Sequence, residues 1–175
     1  MYQEEIAKIA GAAQAKTTLL KSSKGKYLIS SALAGMYVGF GILLIFTIGG
    51  LLAQVDSSAV KIVMGVSFGI ALSLVIMAGS ELFTGNNLVM TVGNLEKKTT
   101  VADSLSIYLF SFAGNLIGSL ILAGLFAYSV LNSGITGGFI VKVAQMKMNL
   151  PWTQLLVRGI LCNTLVCLAI WCSFR

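Results

Sequence analysis

The chain has 175 residues, 57% of them hydrophobic and 10% charged, whereas a soluble domain carries about a quarter charged residues. That composition excludes a water-solvated globular domain, and the absence of histidine excludes His-based catalysis and His-ligated metals. The net charge of +6 comes without the basic, aromatic-bearing surface of a nucleic-acid binder, so no nucleic-acid partner is expected.

Residues 1–27 hold five lysines ahead of any hydrophobic run. A secretory signal has a brief charged region and a short apolar core, so no cleavable signal is expected. Ile6, Ile9, Ala10 and Ala13 recur at helical spacing beside Glu4, Glu5 and Lys8. This predicts a cytoplasmic amphipathic helix, either resting on the membrane surface or packed under a helical bundle.

A hydrocarbon core of about 30 Å takes roughly 20 apolar residues to cross. Four runs meet that length, at about 28–53, 62–92 with an interruption near 80–87, 105–131 and 153–173, the last of them short. The fold class is therefore an all-α polytopic membrane protein whose transmembrane domain covers 28–175. Lys8, Lys16, Lys21, Lys24, Lys26, Lys97, Lys98 and Arg175, eight of the twelve basic residues, fall on one side of these spans. An excess of Lys and Arg marks the cytoplasmic side, which puts the N-terminus inside a cell (inner) membrane.

The second run carries the chemistry. As one helix, residues 62–92 would extend about 46 Å at 1.5 Å per residue, too long for the bilayer. In its middle stand Gly79, Ser80, Glu81, Leu82, Phe83, Thr84, Gly85, Asn86 and Asn87, poor helix and poor lipid-facing surface. Irregular backbone at membrane depth survives only where its N–H and C=O groups are satisfied, inside protein or beside a water-filled path. A broken helix also exposes an N-terminus with free N–H donors and partial positive charge, suited to an anion. Glu81 reads better as a cap for freed backbone N–H groups than as a transport residue, because a carboxylate in the path would repel an anion.

In the later runs, Gly35 and Gly39, and Gly114 and Gly118, form small-xxx-small faces that favour close helix packing over a pore role. Asn115 is expected to hydrogen-bond a neighbouring helix, and Arg158 to snorkel to the interface or pair with Glu or carbonyl oxygens. Cys162, Cys167 and Cys172, five residues apart, have neither zinc-site nor redox-pair spacing and read as small buried hydrophobes. No metal and no cofactor are expected.

The string Gly-Ser-Glu-Leu-Phe-Thr-Gly-Asn-Asn at 79–87 resembles the signature of the formate/nitrite transporter family. Arg-Gly-Ile-Leu-Cys-Asn-Thr-Leu-Val-Cys-Leu-Ala-Ile-Trp at 158–171 is a second match, closest to the nitrite and hydrosulfide branches. The resemblance implies an aquaporin-like helical bundle, a homopentamer with one pore per protomer, and small monovalent anions of weak acids such as formate, nitrite or hydrosulfide as cargo. It maps the pore threonine onto Thr84, apolar constrictions onto Leu82, Phe83 and, on the cytoplasmic side, Leu72, and pore-facing residues of the fourth span onto Asn163 and Val166. Glu81, Gly85 and Asn86 would support the broken helix. The vestibule lysine that attracts anions falls on Lys147 rather than Lys142.

Members of that family have six spans, the second half inverting the first, and this chain supplies four. The expectation is that the chain does not close a pore alone and that a second chain carrying the missing spans completes it. A proton joining the anion at the apolar gate would let it cross neutral, since burial favours the neutral form. A non-conducting structural or assembly subunit is the alternative reading. An enzyme is not expected, because no nucleophile–base pair, metal cluster or phosphate loop is present.

Overall fold

The computed structural model describes residues 2–55 and 58–175; Met1, with which the predicted N-terminal segment begins, lies outside the described residues. The described residues form eight α-helices: α1 (Gln3–Ser22), α2 (Lys24–Ala53), α3 (Val60–Ser67), α4 (Gly69–Met77), α5 (Phe83–Leu95), α6 (Val101–Tyr128), α7 (Gly134–Met148) and α8 (Trp152–Ser173). Four stretches are long and apolar enough to cross a membrane, namely α2, the α3–α4 pair over Val60–Met77, α6 and α8. The protein is a polytopic helical membrane protein.

The centre of the bundle is the α2–α6 pair, and glycine is the reason the two helices lie so close. A Cβ on Gly118 would collide with the backbone of Ala32, one on Gly35 with the backbone of Asn115, and one on Gly114 with Ser31. Small residues let backbones approach where lipid supplies no hydrophobic drive between helices. Ser119 Oγ adds an interhelical bond to Gly35 O at 3.3 Å.

α1 packs under the bundle rather than lying free. Ile9, Ala10, Ala13, Thr17 and Leu20 are buried along one face, against Val89, Met90 and Ile107. Its first residues meet the end of α8, where Tyr2 and Trp171 stack edge to face at 5.7 Å and Arg175 reaches Glu5 at 4.0 Å. A capping box between Thr100 and Asp103 starts α6, and Lys21 Nζ reaches Asp103 Oδ1 at 2.7 Å, tying the end of α1 to that corner.

The interruption of the second span is displaced from the sequence expectation. Helix ends near Met77 and resumes at Phe83, so the non-helical backbone is 78–82, while Thr84, Gly85 and Asn86 stand in the first turn of α5. Gly79 has φ +68°, a conformation glycine takes without the clash a Cβ would bring. A second break lies at Phe68, between α3 and α4. α7, which the apolar runs do not single out, packs on α2 through Phe139, which meets Gly49 and stacks edge to face on Phe46 at 6.4 Å.

Candidate functional site

At membrane depth every freed backbone group of the 78–82 break needs a partner. Ser80 N donates to Val75 O at 3.1 Å and Glu81 N to Ser30 O at 3.4 Å. Asn115 takes two more. Its Oδ1 accepts from Phe83 N at 2.9 Å, and its Nδ2 donates to Glu81 O at 2.9 Å and Ser31 O at 2.7 Å. On the far side of α5, Asn163 Nδ2 donates to Thr84 O at 2.9 Å, and Asn163 Oδ1 accepts from Asn87 Nδ2 at 2.5 Å.

Glu81 does not cap backbone N–H groups. Its carboxylate accepts from Lys16 Nζ at 2.7 Å on both oxygens, from Tyr27 Oη at 3.0 Å and from Asn86 Nδ2 at 3.3 Å. Asn86 also donates to Tyr27 Oη at 3.1 Å. Glu81 is 8% exposed, and Tyr27 and Asn86 are fully buried. The side chain points toward α1, away from the vacant amides of α5, and the lysine leaves the cluster with no net charge.

Two open cavities flank the break. The first, about 240 Å³, runs along Lys16, Ser80, Glu81, Gly85, Asn86 and Ile170. The second, about 360 Å³, is bounded by Leu72, Phe83, Thr84, Phe112, Cys162 and Val166, among others, and is almost wholly apolar. Leu82 lines both and is the residue their linings share. Phe83 packs edge to face on Tyr108 and Phe112 of α6, at 6.0 and 5.6 Å, which fixes its ring in the second cavity's wall.

The structure thus gathers Leu72, Leu82, Phe83, Thr84 and Val166 around one cavity, with Asn163 behind Thr84. Leu72, expected at a constriction on the cytoplasmic side, lines the second cavity rather than the one at Lys16. Gly85 and Asn86 face the first cavity with Glu81. Lys147 lies exposed in the last turn of α7 and lines neither cavity.

Two contributors escaped the sequence reading. Lys16 sits seven residues after Ile9 and three after Ala13, on the stripe that α1 buries, and a lysine on that stripe was the available signal. Cys162 gave none, since it borders the cavity only through helix packing, whereas Asn115, expected to hydrogen-bond a neighbouring helix, does so on Ser31 O of α2.

What the geometry offers an ion is limited and specific. Thr84 and Gly85 stand in the first turn of α5, and no acceptor within the described residues engages their backbone N–H groups. These donors lie at the positive end of a helix dipole, and the Thr84 hydroxyl is beside them. An apolar wall with a few oriented donors rejects ions that cannot exchange water for those bonds.

The family described as "Formate/nitrite transporter" matches residues 3–175. The nitrite transporter NirC of Salmonella typhimurium (strain LT2) is 42% identical over 178 residues, covering all of this chain and 64% of that protein. NirC of Escherichia coli (strain K12) is 41% identical, again over the whole chain and 65% of the relative. The chain therefore spans somewhat under two thirds of the length of these relatives. A solved "FNT family ion channel" superposes with a TM-score of 0.86 at 42% identity, covering 95% of this chain and 66% of the other. On the family match over residues 3–175, the chain belongs to the formate/nitrite transporter family.

Proposed function

We propose that the protein passes small monovalent anions of weak acids, nitrite, hydrosulfide or formate, through a pore in each protomer of a homopentamer. The observation that carries this reading is the pair of cavities meeting at Leu82, with the donors of Thr84 and Gly85 beside that meeting point. An ion crossing there leaves water for an apolar constriction of Leu82, Phe83 and Leu72, and the Thr84 hydroxyl and backbone amides replace part of its hydration. From α8, Val166 lines the second cavity and Asn163, behind Thr84, holds Thr84 O.

Lys147 acts from a distance in this reading, raising the local concentration of anions at the outer mouth by attraction. Glu81, neutralised by Lys16, supports the broken helix with Gly85 and Asn86 instead of opposing the ion. The protein lies in the cell (inner) membrane with α1 on the cytoplasmic side. α8 has no buried residue and the second cavity is open, which supports further helices from another polypeptide segment closing the wall in the assembled protein. The similarity to a nitrite transporter and to an ion channel supports the class of cargo.

Flux into liposomes bearing the assembled protein tests the proposal. Nitrite, hydrosulfide and formate should enter faster than chloride, and Leu82→Ala should speed entry of larger anions by at least tenfold. Equal, background-level entry of all four anions would refute it.

A further inference from the structure

We propose that Asn115 is a positioning residue for permeation: from the middle of α6 it clamps the backbone on both sides of Leu82 and so fixes the side chain that lines both cavities. The proposal rests on the pore reading above and adds to it a residue that determines selectivity without touching the ion.

The residue preceding α5, Leu82, has no side-chain oxygen, so the helix begins without a local cap. Its first amide, Phe83 N–H, would be an orphan donor at membrane depth. Asn115 Oδ1, 32 residues further along the chain, takes that amide at 2.9 Å. Both Nδ2 protons are also placed, on Glu81 O at 2.9 Å and Ser31 O at 2.7 Å. The carbonyl before Leu82 and the amide after it are thus tied to one planar group, and that group is tied to α2. Leu82 cannot slide along the pore axis unless one of these bonds breaks.

The reach depends on helix packing. An asparagine side chain is short, and it bridges α6, α2 and the break because Gly114 and Gly118 bring α6 against Ser31 and Ala32. Asn115 borders the second cavity, yet both of its donor protons are already committed to carbonyls. A passing anion, which needs donors, finds none there. Its influence must pass through Leu82, Phe83 and Thr84.

Asn115→Leu keeps the branching and heavy-atom count of the side chain and deletes the three bonds. Two measurements on the assembled protein decide the matter. Hydrogen exchange of the peptide over residues 79–88 should quicken at least tenfold, with peptides from the far ends of α2 and α6 unchanged. In proteoliposomes the ratio of nitrite to chloride entry should fall at least tenfold per assembled protein. Should Asn115→Leu not assemble, Asn115→Ala, which deletes the same bonds without adding apolar bulk to a polar corner, is read the same way. Unchanged exchange at 79–88, or faster exchange with an unaltered nitrite-to-chloride ratio, overturns the proposal. If the wild-type protein carries no anion at all, the pore reading fails and the selectivity role with it, while the exchange result still reports whether the clamp exists.

Discussion

Glu81 and Lys16 form an ion pair whose side chains are only 10% and 19% exposed, and each has become a requirement of the other. Removing one partner of a buried pair strands a charge and costs about 3–5 kcal/mol, whereas removing both is far cheaper. Lys16→Met alone should therefore lower the unfolding midpoint of the detergent-solubilised protein strongly, and Lys16→Met combined with Glu81→Gln should recover most of the loss. Equal loss in the single and double variants would mean the two side chains do not interact. The sequence reading assigned the carboxylate at residue 81 to freed backbone N–H groups, whereas side chains satisfy it. Its donors lie 65, 54 and 5 positions away along the chain, and only the last is local enough to be read by spacing.

Among the elements, the four apolar runs overlap the four helical stretches of the described residues that are long and apolar enough to cross a bilayer. The exact limits of the break were less legible. Gly85, Asn86 and Asn87 read as helix breakers, yet they lie within α5, where Asn86 and Asn87 spend their side chains on Tyr27, Glu81 and Asn163 rather than on the local backbone. α7 escaped notice because its Gly137 and Gly138, with Lys142 and Lys147, give neither a continuous apolar run nor a periodic stripe. The glycine contacts between α2 and α6 yield a sharp expectation. Gly118→Ala drives a methyl into the Ala32 backbone and should cost about 1–3 kcal/mol as overpacking does, while Gly124→Ala, with nothing within 4 Å, should be neutral or slightly stabilising. Thermal unfolding in detergent compares the two, and similar melting of both variants would contradict the packing account.

At the scale of the molecule, the proposed orientation, with α1 on the cytoplasmic side, rests on the Lys and Arg bias. With the native cysteines replaced, Lys98→Cys should react with a membrane-impermeant thiol reagent only from the cytoplasmic side and Lys147→Cys only from outside. Labelling of both from one side would reverse or break the topology drawn from the Lys and Arg bias. The family, the bundle and the broken helix were legible in two short strings of sequence. The partners that hold the backbone and carboxylate beside Leu82 were not, because they come from Asn115 of α6 and Lys16 of α1.

That ion pair has a consequence for synthesis. The ribosome makes Lys16 65 residues before Glu81, so a partner for the carboxylate is already synthesised when residue 81 emerges. An acid at the centre of an inserting helix costs roughly 2.5–3.5 kcal/mol. The leading helix would act as an intramolecular escort for an otherwise reluctant segment, and a nascent chain lacking its first 22 residues should integrate that segment less efficiently than the intact one.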